Sequence, residues 1–239
     1  MRVRVVVPLT GTQFNDVILE EARAIVDAAC EVDLANIDEG SESIESYTDE
    51  VAVGPDILRK VREAAEDGVD AVFITCFGDP AVHAARELVD VPVAGGFEPA
   101  VLMAMSLGES FSVVTVLPNV VPLIRGLARR LGVSDRLASV RVIDTPVLEL
   151  EDHEALVRDL HQEMRRAVLE DDAHVLVLGC TGMLGVAARL QAQLAEEGLD
   201  VPVVDPTQAA LLWLEMQARM GVRHSRRTYM APPPKARIV

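Results

Sequence analysis

Val69-Asp70-Ala71-Val72-Phe73-Ile74-Thr75-Cys76-Phe77-Gly78 and Ala173-His174-Val175-Leu176-Val177-Leu178-Gly179-Cys180-Thr181-Gly182 are two versions of one phrase. Each is a short apolar run closed by Cys-x-Gly. A run apolar on every side is a strand covered on both faces, as in parallel sheets flanked by helices. Outward from these two runs the same order of signals repeats. In the first half, Val3–Pro8, Val32–Ile37, Ala71–Cys76 and Val91–Ala94 read as strands, and Gln13–Ala29, Pro55–Asp67, Pro80–Leu88 and Pro99–Leu107 as helices. In the second half the strands are Phe111–Leu117, Ser139–Ile143, His174–Gly179 and Val201–Val204. The helices there are Val120–Leu131, Asp152–Glu170, Met183–Glu197 and Thr207–Met220.

Punctuation supports these bounds. Pro55, Pro80 and Pro99 stand where a helix start tolerates a missing N–H. Gly68 and Gly108 stand where a helix stops. Asp90-Val91-Pro92-Val93 returns as Asp200-Val201-Pro202-Val203, again leading into a helix. The acidic Asp38–Glu50 stretch reads as a loop, and Pro232-Pro233-Pro234-Lys235 as extended chain. A repeat of about 100 residues is too long for a solenoid unit. The predicted fold class is therefore α/β: two similar α/β domains with parallel sheets, related by an internal repeat, with the active site in an inter-domain cleft.

Composition narrows the function. The chain has 239 residues, 50% of them apolar, enough for a substantial core and too many for a disordered chain. Its formal charge is −16 and only 3% of residues are aromatic, which disfavours nucleic acid as a partner. No run approaches the roughly 18 to 20 apolar residues of a membrane span, and Met1 to Leu9 is too short in its apolar part for a signal peptide. A cytoplasmic protein is expected. Three cysteines do not make a disulfide framework in a chain of this size and read as free thiols. The histidines at 83, 153, 161, 174 and 224 have no metal-ligand spacing, and no dinucleotide or Walker glycine motif is present. No cofactor and no metal are expected.

The chemistry points to the repeated cysteines. Cys76 and Cys180 both close an apolar strand, and in open α/β sheets ligands bind beyond the carboxyl ends of strands. A helix start just after each would favour thiolate over thiol. Gly78 and Gly182 permit close backbone approach, and N–H groups near Phe77, Gly78, Thr181 and Gly182 are candidates to hold an oxyanion. Either cysteine alone would read as core filler, since cysteine is among the most buried residue types; the matched positions reverse that reading. Cys30 has no such counterpart and reads as a structural residue ending a helix. Two thiols on opposite faces of a carbon acid suit racemisation or epimerisation beside a carbonyl. One removes the proton as thiolate, and the other returns a proton to the opposite face.

Cys76-Phe77-Gly78-Asp79-Pro80, Gly179-Cys180-Thr181-Gly182-Met183 and Phe111-Ser112-Val113-Val114-Thr115 together resemble the aspartate/glutamate racemase superfamily, and within it the hydantoin racemase group. Arg129–Val142 and the ending Arg226-Arg227-Thr228-Tyr229 with Ala231-Pro232-Pro233 resemble that group too. The resemblance implies cofactor-independent racemisation of 5-substituted hydantoins or of allantoin, with Cys76 and Cys180 as the acid/base pair. It also implies that the last helix of each copy packs on the other domain, so that residues 1–94 with 206–239 form one domain and 95–205 the other. Pro8-Leu9-Thr10-Gly11-Thr12 replaces the group's Asn-Pro-Asn-Thr-like segment, and Thr181 stands where Ala is common. The expected partners are a small-molecule substrate and further copies of the chain, a homo-oligomer.

Thr10, Thr12 and Thr115 end the first strand of each copy and are candidates to bind substrate oxygens, with helix capping as the alternative for Thr12. Asp79, Glu98 and Asp205 read as carboxylates at helix starts. His224-Ser225-Arg226-Arg227 reads as a solvated or subunit-contacting patch. Two rival functions remain. One is another reaction of the same superfamily: racemisation of an amino acid, maleate-type isomerisation or arylmalonate-type decarboxylation. The other is a non-catalytic small-molecule binding protein, whose cysteines would resist alkylation.

Overall fold

A computed structural model describes residues 1–235. Two four-stranded parallel sheets form. The first has order β2-β1-β3-β4, from β1 (Arg2–Val7), β2 (Glu31–Asn36), β3 (Ala71–Ile74) and β4 (Val93–Ala94). The second has order β6-β5-β7-β8, from β5 (Phe111–Thr115), β6 (Leu137–Val142), β7 (Val175–Leu178) and β8 (Val203–Val204). The two orders are the same permutation, so the repeat read from sequence is a repeat of topology. Registers match as well: Val6 pairs with Ile74 in one sheet and Val114 with Leu178 in the other. The α/β class with parallel sheets is confirmed.

Helices connect the strands: α1 (Asn15–Ile25), α2 (Tyr47–Glu66), α3 (Val82–Leu88), α4 (Phe97–Leu107), α5 (Val121–Leu131), α6 (His153–Asp171), α7 (Ala187–Glu196) and α8 (Pro206–Met220). The chain divides into two compact units. One contains Met1–Gly95 and the residues from Ala210 onward; the other is Gly96–Ala209. In the first, Val6, Val72 and Ile74 of the sheet pack with Val53, Ile57 and Val61 of α2 and with Val82 and Ala85 of α3. In the second, α6 buries Leu156, Leu160 and Met164, and α7 buries Leu190 and Leu194. These positions recur at helical spacing, which is why single stripes suffice to cover a sheet face.

Several boundaries differ from expectation, each for a local reason. The helix expected at Pro55 begins at Tyr47, inside the stretch read as a loop. Ser46 caps it by accepting from the Asp49 N–H at 3.2 Å. Pro55 lies mid-helix and withholds an N–H from the carbonyl of Val51, a residue 76% exposed, so water can reach that turn. The helix expected to reach Ala29 ends at Ile25, and Cys30 lies in the turn before β2 rather than on a helix. Asp79 and Ala81 hold left-handed backbone (φ +50° and +56°), so α3 starts at Val82 and Pro80 precedes it. Gly185 (φ +69°) delays α7 to Ala187 in the same way.

In the ending, Ser225, Arg227 and Thr228 are exposed as expected, while His224, Arg226 and Tyr229 are half-buried. Arg226 donates to the carbonyls of Arg86 (3.0 Å), Glu87 (3.2 Å) and Val89 (2.5 Å), which are the open carbonyls at the end of α3. It also meets the Asp90 carboxylate at 2.8 Å. His224 Nε2 accepts from the Val93 N–H at 2.8 Å. Arg86, only 5% exposed, donates to the Val93 carbonyl and to the Tyr229 hydroxyl. Arg226 and His224 thus bind groups of the first unit.

Candidate active site

Each unit carries one cysteine loop at the carboxyl end of its third strand, and the two loops are built alike. Cys76 follows β3 and Cys180 follows β7, both half-buried and neither in a disulfide. The Cys76 carbonyl accepts from the Asp79 N–H at 3.4 Å, and the Cys180 carbonyl from the Met183 N–H at 3.3 Å. In both, the sulfur faces the glycine two residues on: a Cβ placed on Gly78 would lie 3.7 Å from Cys76 Sγ, and one on Gly182 3.5 Å from Cys180 Sγ. The Gly182 N–H donates to Cys180 Sγ at 3.3 Å, a contact that strengthens as the sulfur gains charge.

The helices after the cysteines begin later than expected. Helix starts lie well beyond the cysteines, at Val82 and Ala187, with left-handed residues between. At Cys180 the N–H that addresses the sulfur is that of Gly182, in the loop. Phe77 and Thr181 are buried beside the cysteines, and Gly78 and Gly182 are partly open. Asp79 is 8% exposed and stands in the turn rather than in a helix. A Cβ on Gly95 would collide with its carboxylate, so that glycine makes way for it.

The threonines sort differently. Thr10 and Thr12 lie in the turn after β1, beside the strand that leads to Cys76. Asn36 holds this turn through the carbonyls of Leu9 (3.2 Å) and Gly11 (2.8 Å). Thr12 is exposed and does not cap α1, whose N-cap is Phe14 with no side-chain hydrogen bond. Thr115, expected to offer a hydroxyl to substrate, is fully buried, and that hydroxyl donates to the Gly179 carbonyl at 3.0 Å. Asp205 does cap a helix: its carboxylate accepts from the N–H groups of Thr207 (2.8 Å) and Gln208 (2.9 Å). Burial pushes its pKa up against those two bonds. Burial likewise raises the Cys30 thiol, which keeps that cysteine protonated near neutrality.

Two residues packed at the second loop were not singled out from sequence. Leu150, 4% exposed, lies with its Cδ1 3.3 Å from where a Gly182 Cβ would be. Gly179 lets β7 close on β5, since a Cβ there would fall 2.7 Å from the Thr115 Cβ and the Val113 Cγ1. Gly179 had a visible signal: it breaks the repeat by standing where the first copy has Thr75. Leu150 had none, because contact across a loop leaves no periodic trace. Among the described residues, no group of three His, Cys, Asp or Glu side chains is placed to hold a metal, and no helix is long and apolar enough to cross a membrane.

A family model described as Asp/Glu/Hydantoin racemase matches residues 3–212. The chain belongs to this family. Membership places it among the isomerases. It is 36% identical over 237 residues to a hydantoin racemase of Pseudomonas sp. (strain NS671), covering 98% of this chain and 93% of that one. It is 37% identical over 238 residues to a hydantoin racemase of Rhizobium meliloti, covering 99% and 97%. Among solved structures, allantoin racemase from Pseudomonas fluorescens superposes with a TM-score of 0.93 at 34% identity over the whole of both chains.

Proposed function

We propose that this member of the racemase family interconverts the enantiomers of 5-substituted hydantoins or of allantoin, with Cys76 and Cys180 acting on one substrate from opposite faces and no cofactor taking part. The observation that carries the reading is the matched construction of the two cysteine loops, one in each unit. The named activities of the relatives supply the substrate class.

The chemistry runs as follows. One cysteine, as thiolate, takes the proton from C5; the C5–H bond breaks, an S–H bond forms, and charge moves to the neighbouring carbonyl as an enolate. The other cysteine, as thiol, delivers its proton to the opposite face of C5. Roles are then exchanged, so the reverse reaction starts from the state the forward one leaves. General acid–base assistance of this kind contributes about 10²- to 10⁴-fold. The Gly182 N–H is placed to steady the Cys180 thiolate. A neutral ring suits loops whose only charged side chain is Asp79. Free amino acids would bring a carboxylate and an ammonium that these loops do not answer.

The test is a panel of single-enantiomer 5-alkyl hydantoins, allantoin and free amino acids in deuterated water, followed by polarimetry and NMR. Loss of optical rotation with deuterium at C5 of a hydantoin or allantoin is expected. Racemisation of free glutamate or aspartate alone, or a stable covalent adduct with maleate, would overturn the substrate assignment.

A further inference from the structure

The two cysteine loops are alike, but the strand ends beneath them have exchanged a hydroxyl. One step beyond the Val6–Ile74 pair, the first unit has Val7 beside Thr75; one step beyond the Val114–Leu178 pair, the second has Thr115 beside Gly179. Each copy keeps one threonine at this junction, on opposite strands. In the second unit the arrangement is a fitted set. Gly179 has no Cβ to strike Thr115, and Thr115 uses the space to donate its hydroxyl to the Gly179 carbonyl at 3.0 Å. Val7 has no hydroxyl with which to do the same below Cys76.

We infer that Thr115 is a positioning residue for Cys180. Its hydroxyl pins the last peptide before the cysteine and so fixes where the sulfur sits relative to the Gly182 N–H and the substrate. Two features support this beyond ordinary strand packing. The Gly179 carbonyl belongs to the peptide whose nitrogen is that of Cys180, so its direction sets the first backbone angle of the reactive residue. The bond is also fully buried, so loss of the donor is not made good by bulk water. The inference rests on the two-cysteine reading above, and it assigns the hydroxyl to Cys180 rather than to substrate.

Three variants test it. Thr115→Val keeps shape and strand propensity and removes the hydroxyl; Thr115→Ser keeps the hydroxyl; Thr115→Ala removes it with less steric demand should the valine protein fail to fold. Thr115→Val is expected to lower kcat by about 10- to 100-fold, the scale of a small misplacement of a reacting group, with KM little changed. Thr115→Ser should recover to within about threefold. If Cys180 alone is misplaced, the substrate deuterium isotope effect at C5 rises for the enantiomer that gives its proton to Cys180. The solvent isotope effect rises for the other. Peptide-mapped alkylation by iodoacetamide gives an independent readout, since the ratio of Cys180 to Cys76 rates should shift in Thr115→Val and return in Thr115→Ser. An unchanged ratio with equal isotope effects for both enantiomers would overturn the inference. A wild-type protein that racemises nothing would instead defeat the proposed function, and the alkylation ratio would still decide the role of Thr115.

Discussion

Glycine matters at the cysteine loops for two different reasons, and substitution separates them. At Gly179 a methyl would press on the Thr115 Cβ and Val113 Cγ1 at 2.7 Å and on the Val114 carbonyl at 2.9 Å. These are strand atoms that cannot swing aside. Gly179→Ala should therefore lower stability by about 1–3 kcal/mol, read as a lower melting temperature. At Gly182 the nearest atoms are Leu150 Cδ1 at 3.3 Å and the Cys180 sulfur at 3.5 Å, both side-chain atoms able to yield. Gly182→Ala should melt near the wild-type temperature, yet slow racemisation by about tenfold or more as the methyl screens the sulfur. If both variants melted alike and turned over alike, the distinction between a packing glycine and an access glycine would fail. The matched cysteine loops were legible at this scale because the repeat named them twice. The backbone partner of the Thr115 hydroxyl was not, since position alone does not tell a hydroxyl turned to backbone from one turned to ligand.

At the scale of elements, side chains both near and distant in sequence close the helix ends. Arg226 gathers the carbonyls at the end of α3, so Arg226→Ala should cost about 1–3 kcal/mol, measured by urea unfolding. A variant as stable as wild type would show that water replaces the guanidinium freely. Asp205 caps α8, and its buried carboxyl has a raised pKa. The folded protein therefore binds this proton more readily than the unfolded chain. The stabilising contribution is complete at acid pH and falls as pH rises from the ordinary carboxylate value through the raised one. Asp205→Asn keeps the capping oxygen and does not ionise, so it should gain on the wild type across that same rise. A stability difference independent of pH would contradict the assignment.

The errors in element bounds share a cause. Proline was read as a helix start at Pro55, where the exposed Val51 turn tolerates the missing N–H and Ser46 supplies the cap earlier. The helix starts expected at Pro80 and Met183 fall at Val82 and Ala187. Left-handed Asp79, Ala81 and Gly185 delay them, and backbone of that hand has no periodic signal in a sequence.

For the whole molecule, the repeat is the dominant fact. The same strand permutation, the same register and the same cysteine turn occur once in each unit. This much was legible because buried parallel strands are apolar on both faces and stand out between helices. The charge of −16 disfavours nucleic acid without naming a partner, and it is compatible with a neutral substrate. What the repeat does not predict is where the copies differ. Val7 against Thr115 and Thr75 against Gly179 are such differences at the strand ends, and Phe77 against Thr181 is another beside the cysteines.

The central claim is that two thiols share one proton transfer, and single-cysteine variants test it most directly. Cys76→Ala and Cys180→Ala, each followed by polarimetry with one enantiomer of a 5-alkyl hydantoin in deuterated water, should both lose racemisation. Either variant racemising at near the wild-type rate would contradict the two-base account.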